Sequence, residues 1–262
     1  MSTPTAGPLA VRRRGAGDPL VLLHPLALSG ELWTPLAEAL SDEFQVFALD
    51  LRGHGDSAWD GKPFSIEDLA DDVARALDEL DLPSASLLGL SMGGSVAVNF
   101  AGRFPERVRS LVLADTTAWY GEDAVAAWAE RAEKAVTVPR AKQVPFQLDR
   151  WFSPEFRERH PEEADRVVKI FLRTNSEAHA AASIAMGAMD SRPLLPAVTA
   201  STLVLVGRYD YATPPSMART LADGIPDAEL EILPDLRHLS LVESPLLAGR
   251  VRQHLRRVTE TR

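Results

Sequence analysis

A lone serine stands between two glycines in the segment Gly89–Gly93, whose sequence is GLSMG. The apolar run Ala85–Leu90 leads into Ser91, and a stretch typical of a helix, SVAVNFAGRF, follows the motif. A strand that turns directly into a helix crowds the residue at the turn, and flanking glycines relieve the clash. This context favours a nucleophilic Ser91 with an accessible hydroxyl over an ordinary glycine-rich turn.

A serine nucleophile requires a base and a carboxylate that orients the base, and after this kind of turn they follow in the order acid, then histidine. Asp210 comes just after the apolar run Ser201–Gly207, and His238 follows the apolar run Ala228–Leu233. Open α/β sheets build their sites at the carboxyl ends of the strands, so both side chains are expected to meet the serine there. The sequence therefore predicts a catalytic triad of Ser91, Asp210 and His238.

Each partner of the serine has an alternative interpretation that the sequence leaves open. Asp210 could simply cap the helix that begins with TPP, and Asp115, at the end of the run VRSLVLAD, is a rival acid. His238 could be an ordinary surface histidine. His24 precedes Ser91 and is expected to brace a loop. The other histidines, which fit the role of base less well, are His54, His160, His179 and His254.

Two backbone N–H groups must face the oxyanion that forms when the serine attacks a carbonyl. Met92 follows the nucleophile and opens the predicted helix, so it offers one N–H with a favourable helix dipole. The second is expected from the loop HPLALSG, which follows the first apolar run. Since Pro25 has no N–H, Leu26 is the candidate donor.

Composition excludes several kinds of chemistry. The 262 residues contain no cysteine, so thiolate nucleophiles, disulfides and cysteine-based zinc sites are ruled out. A net charge of −9 argues against nucleic-acid binding, and the three arginines of VRRRG (Val11–Gly15) are interpreted as a solvated strand end. The six histidines lack metal-binding spacing, and no G-x-G-x-x-G dinucleotide fingerprint is present. We expect neither a metal nor a cofactor.

The apolar runs of the chain are too short to form a signal peptide or a membrane span, and this predicts the location of the protein. The N-terminal segment MSTPTAGPLAVRRRGAG lacks the apolar stretch of a signal peptide, and no run approaches the length of a membrane span. We therefore expect a cytoplasmic protein with a small-molecule substrate and no membrane partner. Association into a homo-oligomer is left open.

Short apolar runs alternate with longer amphipathic stretches along the chain, which is the arrangement of an α/β fold. Most runs are continuously apolar, as expected when helices cover both faces of a parallel sheet. Between two of them, Ser65 and Asp68 form a variant capping box at the start of an amphipathic helix. The runs are Leu20–His24, Phe44–Asp50, Ala85–Leu90, Val108–Asp115, Ser201–Gly207 and Ala228–Leu233.

The region from about Trp119 to Leu195 contains no strand-like run and is rich in Ala, Trp, Arg and Glu at helical spacing. We interpret residues 119–195 as a helical cap inserted into a core of residues 1–118 and 196–262. No low-complexity linker joins the two, so the cap is expected to pack against the core and to lie over the site.

Together these segments resemble the α/β-hydrolase superfamily over essentially the whole chain. The resemblance rests on LLHPLALSGELW, DLRGHGDS, GLSMGG, FPERVRSLVLADT, GRYDYATPP and RHLSLVESP. It implies a mostly parallel central sheet flanked by helices, an inserted helical cap, and the triad and oxyanion-hole residues named above. Two residues depart from the family pattern, because Pro25 replaces a common glycine and Arg237 stands where a small residue is usual.

Within the superfamily the chain is most similar to 3-oxoadipate enol-lactonases of aromatic-acid catabolism, through LVLADTTAWYGEDAVAAWAERAEKA and LDRWFSPEFRERHPEEADRV. The resemblance implies a serine hydrolase that opens a small carboxylated lactone through an acyl-enzyme. An apolar pocket with one cation suits such a substrate, and the cap offers Trp119, Trp128, Arg131 and Trp151. Equally, these tryptophans could be the core of the cap and the arginine part of its surface.

Other functions of the same fold remain open at this point. A carboxylesterase would prefer simple esters, and a carbon–carbon bond hydrolase would prefer dienone acids. A non-catalytic ligand receptor would keep the pocket and signal through the cap. Turnover on a panel of lactones and esters, compared with changes in cap mobility on ligand binding, separates these functions.

Overall fold

A seven-stranded sheet forms the centre of the computed structural model, which describes residues 9–259. Residues 1–8 and 260–262 lie outside the described residues. They contain both ends of the predicted core and the first part of the N-terminal segment in which no signal peptide is expected. The strands are β1 (Val11–Arg14), β2 (Asp18–Leu23), β3 (Phe44–Leu49), β4 (Ala85–Leu90), β5 (Val108–Ala114), β6 (Thr202–Gly207) and β7 (Ala228–Leu233).

The strand order is β1-β3-β2-β4-β5-β6-β7, and β1 is antiparallel to β3 while the other neighbouring pairs are parallel. The apolar runs found in the sequence are the parallel strands, so the predicted α/β fold with a mostly parallel sheet is confirmed. Every residue of β4 and β6 is buried, because helices cover both faces of the sheet.

Strand β1 is the element that the apolar pattern missed. The arginines expected at a strand end are themselves an edge strand, with Val11 opposite Leu49 and Arg14 opposite Val46. An edge strand has one unpaired side and water beside it, so polar side chains are tolerated there and no apolar run marks it. Arg12 donates to the buried Asp50 carboxylate at 2.7 Å, which fixes the edge to the core.

Helices connect the strands and cover both faces of the sheet. They are α1 (Thr34–Leu40), α2 (Ile66–Glu79), α3 (Met92–Arg103), α4 (Ala124–Thr137), α5 (Arg140–Trp151), α6 (Pro154–Arg159), α7 (Pro161–Arg173), α8 (Ser176–Ala188), α9 (Pro215–Gly224), α10 (Ser240–Glu243) and α11 (Leu247–Thr259). Within residues 9–259, no helix combines the length and the apolar character needed to cross a membrane.

Helix α2 begins at the capping box that the sequence predicts. The Ser65 hydroxyl accepts the Asp68 N–H at 3.1 Å, and the Asp68 carboxylate accepts the Ser65 N–H at 2.8 Å. Two of the helix's unpaired N–H groups are thereby satisfied. Its predicted apolar stripe faces the core, with Ile66, Leu69 and Val73 almost fully buried.

Helices α4 to α8 all lie between β5 and β6, in the region interpreted as a cap. An isolated bridge between Trp119 and Asp190 closes the base of this segment. Helices α4 and α8 pack so closely that a Cβ on Gly187 would lie 2.6 Å from the Cβ of Trp128. The boundaries of the cap at residues 119 and 195 stay a prediction.

Specific hydrogen bonds attach this helical segment to the core. The Thr174 hydroxyl donates to the Ala27 carbonyl at 2.7 Å. Arg166, on α7, donates to the carbonyls of Glu31 and Leu32, both at 3.1 Å. These contacts place α7 over the loop that follows β2, which is the loop expected to supply an oxyanion donor.

Candidate active site

Ser91 occupies the turn between β4 and α3 in a backbone conformation that side chains rarely adopt. Its φ is 54° and its ψ is −120°. The turn is tight enough that a Cβ on Gly89 would lie 2.3 Å from the Gly93 carbonyl oxygen, and one on Gly93 would lie 2.1 Å from the Leu23 carbonyl oxygen. Glycine is therefore required at both positions because backbone approaches too closely for any side chain.

Three side chains from distant parts of the chain meet at this turn. His238 Nε2 lies 2.9 Å from Ser91 Oγ, and His238 Nδ1 lies 2.8 Å from Asp210 Oδ2. All three residues are buried, with 3% or less of their surface exposed. The geometry suits an imidazole that donates from Nδ1 to the carboxylate and accepts from the serine hydroxyl at Nε2.

The Asp210 carboxylate is itself held by the start of the following segment. Its Oδ1 accepts the N–H groups of Ala212 and Thr213 at 2.7 and 3.0 Å, and its Oδ2 accepts the Thr213 hydroxyl at 2.8 Å. These bonds lie in the loop before α9, whose N-cap residue is Pro214 and which has no side-chain cap, so Asp210 does not cap that helix.

Burial and charge set the protonation of this group of residues. Burial is the largest influence on His238 and lowers the pKa of its imidazole, although the charge of Asp210 opposes the shift. Burial disfavours ionisation of Asp210, but the charge of His238 and the hydrogen bonds from His238 and Thr213 outweigh it and lower the pKa of the carboxyl. A neutral imidazole beside an ionised carboxylate is the state that a general base requires.

Asp115, the rival acid, has other partners. Its Oδ1 accepts the Gly207 N–H at 2.9 Å, and its Oδ2 accepts the hydroxyl of Ser240 at 2.6 Å and the N–H of the same residue at 3.1 Å. These bonds tie the end of β5 to the end of β6 and to the segment just after His238. The geometry therefore gives Asp115 a place beside the site without a bond to the imidazole.

Of the two expected oxyanion donors, Leu26 lines the same cavity as Ser91, and Met92 directly follows Ser91 in the chain. In the described part of the chain, neither the Leu26 N–H nor the Met92 N–H has a hydrogen-bond partner. His24 braces the loop, since its Nε2 accepts the Leu51 N–H at 2.9 Å and its Nδ1 lies 2.8 Å from the Pro25 carbonyl oxygen. The Pro25 carbonyl belongs to the same trans peptide as the Leu26 N–H, so the bond to His24 aims that N–H in the opposite direction.

A cavity of about 200 Å³ opens above the serine, between the core and the helices of the predicted cap. Trp128, Arg131 and Trp151, three of the four predicted cap residues, line it. Trp119 does not, because its ring packs against the guanidinium of Arg192, whose Cζ lies 3.6 Å from the ring centroid. The role of Trp119 in substrate binding stays a prediction, and the ring lies outside the lining of this cavity.

Helix α5 supplies cavity residues that the sequence reasoning missed. Gln143, Phe146, Gln147 and Arg150 all line the cavity. Their spacing of three, four and seven residues places them on one face of the helix. A search for apolar stripes passes over a face of this mixed polarity, but the spacing itself is a signal that could have identified it.

Arg150 is the most unusual residue of the cavity. It is 8% exposed, and its Nε has no hydrogen-bond partner among the described residues. Burial, followed by the charge of Arg131, lowers the pKa of its guanidinium to about 10. His179 also lines the cavity, and burial lowers the pKa of its imidazole to about 3 and keeps it neutral.

The departure at Arg237, next to the histidine, has a structural role. Its guanidinium lies 2.9 Å from the carboxylate of Asp149 on α5 and also donates to the carbonyl of that residue. The Asp149 carboxylate accepts the Tyr211 hydroxyl as well, at 3.1 Å. Arg237 thus links the loop that carries His238 to the helix that carries Arg150.

In residues 9–259 no group of three or more His, Asp or Glu side chains is arranged so that it could hold a metal ion.

Known proteins share this architecture. A model of the α/β hydrolase fold matches residues 18–245. The chain is 31% identical to 3-oxoadipate enol-lactonase 2 of Acinetobacter baylyi over 226 residues, which cover 86% of this chain and 84% of that protein.

Two solved structures are also similar over nearly the whole chain. A thermophilic esterase from Thermogutta terrifontis with malate bound has a TM-score of 0.89 at 34% identity and covers 95% of this chain and 93% of that one. The enol-lactonase from Burkholderia xenovorans LB400 has a TM-score of 0.85 at 32% identity, with 96% and 95% covered.

Proposed function

The chain belongs to the α/β-hydrolase family, and from that premise we propose that it is a serine hydrolase that opens a small carboxylated lactone through an acyl-enzyme. One observation carries the proposal: His238 lies 2.9 Å from the Ser91 hydroxyl and 2.8 Å from the Asp210 carboxylate. We assign these residues the roles of nucleophile, base and orienting acid.

In the proposed reaction, His238 accepts the proton of Ser91 Oγ while the oxygen attacks the lactone carbonyl. The tetrahedral oxyanion is stabilised by the N–H groups of Leu26 and Met92. Collapse breaks the ring C–O bond, and His238 returns the proton to the leaving oxygen, which stays tethered within the acyl-enzyme. Water then attacks the acyl carbon with His238 as base, which releases the acid and restores the serine.

The substrate class is supported by the composition of the cavity and by the relatives. Aromatic rings of Trp128 and Trp151 provide an apolar surface, and guanidinium groups of Arg131 and Arg150 provide positive charge. A small carboxylated ring meets both requirements. Two of the proteins reported above are named enol-lactonases.

Removal of the serine hydroxyl tests the mechanism. Ser91→Ala is expected to reduce kcat on a panel of lactones and esters by about 10⁴-fold or more, because the nucleophile is lost while the fold is kept. A phosphonate should label the wild type covalently and leave Ser91→Ala unlabelled. Ser216→Ala, an exposed serine on α9, serves as the matched control. Near wild-type turnover by Ser91→Ala on every substrate would refute the proposal.

A carboxylesterase is the second candidate function. It is favoured by the similarity to the Thermogutta terrifontis esterase, at 34% identity over 95% of this chain. The same serine chemistry serves both functions, so the discrimination lies in the substrate. A lactonase should have its highest kcat/KM on small carboxylated lactones, whereas an esterase should turn over neutral acyclic esters at least as well.

A further inference from the structure

We propose that Arg150 is the residue that selects the substrate: its guanidinium anchors a free carboxylate and thereby holds the scissile carbonyl at Ser91. This inference deepens the proposed function and rests on it for the identity of the reacting group. It concerns a residue on α5 that the expected pocket set (Trp119, Trp128, Arg131 and Trp151) does not contain.

Arg150 carries a buried charge without a counter-ion among the described residues. Only 8% of the residue is exposed, and within residues 9–259 no hydrogen bond or ion pair of its guanidinium is found. Burial of an unpaired charge is unfavourable, and proteins normally pair such groups. Arg52 illustrates the usual solution, since it is similarly buried and binds Asp72 through two hydrogen bonds of 2.7 and 2.8 Å.

The cavity around Arg150 is positively charged. Arg131, Lys134 and Lys142 line it together with Arg150, and none of the described residues that line it is acidic. This distribution does not follow from the composition, because the chain as a whole has a net charge of −9. A cavity with cations alone, in an acidic protein, concentrates anions at the site.

Arg150 differs from its cationic neighbours in its burial and in its lack of a partner. Lys134 already has a partner, the Glu130 carboxylate at 2.5 Å, and Lys142 is exposed. Arg131 is partly exposed and lies over the face of Trp128, with its Cζ 4.7 Å from the ring centroid. Arg150 is thus the most buried of the four cations, where a carboxylate gains most from a bidentate bond.

The backbone next to Arg150 is attached to the loop that carries His238. The next residue, Trp151, accepts the N–H of Leu239 through its carbonyl at 3.0 Å, and Leu239 directly follows His238. This bond joins the backbone that carries Arg150 to the backbone that carries His238. A carboxylate on Arg150 leaves the other end of a small substrate in the same cavity as Ser91.

The kinetic test compares two esters that differ in one charge. The mono-4-nitrophenyl ester of glutaric acid carries a free carboxylate, and 4-nitrophenyl valerate does not. Arg150→Gln is expected to raise KM for the charged ester about 100-fold and to change the KM for the neutral ester less than about 3-fold. Arg150→Lys, which keeps the charge but loses the bidentate geometry, should recover about tenfold of that loss.

Lys142→Gln is the matched control, because it removes one positive charge from the exposed rim. It should change KM for the charged ester by no more than about 3-fold, and that change should vanish at high salt. Equal effects of Lys142→Gln and Arg150→Gln would show general electrostatic attraction and overturn the proposal, as would equal KM changes for the two esters.

Two measurements do not depend on turnover. In a Ser91→Ala background, calorimetry should detect glutarate binding that weakens about 100-fold on Arg150→Gln. Without ligand, Arg150→Gln should melt at the same temperature as the wild type or a few degrees higher, since an unpaired buried charge is removed. A large loss of melting temperature would show that Arg150 serves the fold, and glutarate binding unaffected by the substitution would also overturn the anchor.

The proposed function and the anchor fail in distinguishable ways. If the wild type opens no lactone but binds glutarate through Arg150, the lactonase assignment fails and the anchor stands. If lactones are opened with the same KM by Arg150→Gln, the anchor fails and the serine mechanism stands.

Discussion

Ser91 is held in a strained state by its surroundings. A non-glycine residue at φ 54° and ψ −120° costs about 1–3 kcal/mol, and such a residue persists only where neighbouring structure fixes it. Here the Ser91 N–H donates to the Ala114 carbonyl at 3.0 Å, and the Thr116 hydroxyl donates to the Ser91 carbonyl at 2.6 Å. The end of β5 and the residues that follow it therefore hold both the N–H and the carbonyl of Ser91.

The two buried aspartates, Asp210 and Asp115, should respond differently to the same substitution. Asp210→Asn is expected to lower kcat about 10³- to 10⁴-fold, because an amide no longer stabilises the imidazolium or its tautomer. Asp115→Asn should lower the free energy of unfolding by about 1–3 kcal/mol, because an amide NH₂ would face the donors of Ser240 or Gly207.

Kinetics of the folded fraction and urea unfolding separate these outcomes. We expect kcat of Asp115→Asn to change less than about tenfold. A loss of kcat in Asp115→Asn as large as that in Asp210→Asn would show that the acids have been assigned to the wrong positions.

The connection between elements that matters most is the approach of α3 to the end of β2. Gly93 lies against the carbonyl of Leu23, and an added Cβ would also lie 2.8 Å from the carbonyl oxygen of His24. This approach brings the start of α3, with Met92, beside the loop that carries Leu26. One close backbone contact thus positions the two N–H groups that we propose as oxyanion donors.

Gly93→Ala should consequently impair both stability and catalysis. The methyl group forces β2 and α3 apart, which we expect to cost about 1–3 kcal/mol of unfolding free energy and to lower kcat about 100-fold. Gly249→Ala is the matched control in α11, where an added Cβ meets nothing within 4 Å, and it should stabilise by about 0.5–1 kcal/mol. Unchanged kcat in Gly93→Ala, measured alongside thermal unfolding, would contradict this account of the oxyanion loop.

For the molecule as a whole, the attachment of the helical segment to the core controls the shape of the cavity. Arg166 donates to two core carbonyls, and Arg237 joins the His238 loop to α5. The cavity is lined by α5 and by His238, which the second attachment holds together. Its geometry therefore depends on contacts between parts of the chain more than 80 residues apart in sequence.

Arg166→Ala should loosen this attachment. Loss of the bonds to the Glu31 and Leu32 carbonyls is expected to lower the free energy of unfolding by about 1–2 kcal/mol and to speed amide hydrogen exchange in α7. Arg159→Ala, which removes an exposed pair with Glu155 on α6, should change stability by less than about 0.5 kcal/mol. Identical exchange in α7 for the two variants would argue against a role for Arg166 in holding the helical segment.

Much of the fold could be predicted from the sequence because burial leaves a local pattern. A strand covered on both faces must be apolar throughout, so the parallel strands were recognised from their runs, and the capping box of α2 from the spacing of Ser65 and Asp68. Strand β1 was missed because its position at the sheet edge, which only the tertiary structure supplies, removes the need for apolar residues.

For the site, the residue types and their order along the chain follow directly from the sequence: a serine in a glycine turn, then an acid, then a histidine. It did not decide between Asp115 and Asp210, since both follow apolar strands, and only the tertiary structure places one of them 2.8 Å from the imidazole. Likewise, Arg150 and Trp119 look alike as cap residues in sequence. The direction in which each faces depends on how the helices pack on the core, a property of contacts between distant segments that no local pattern records.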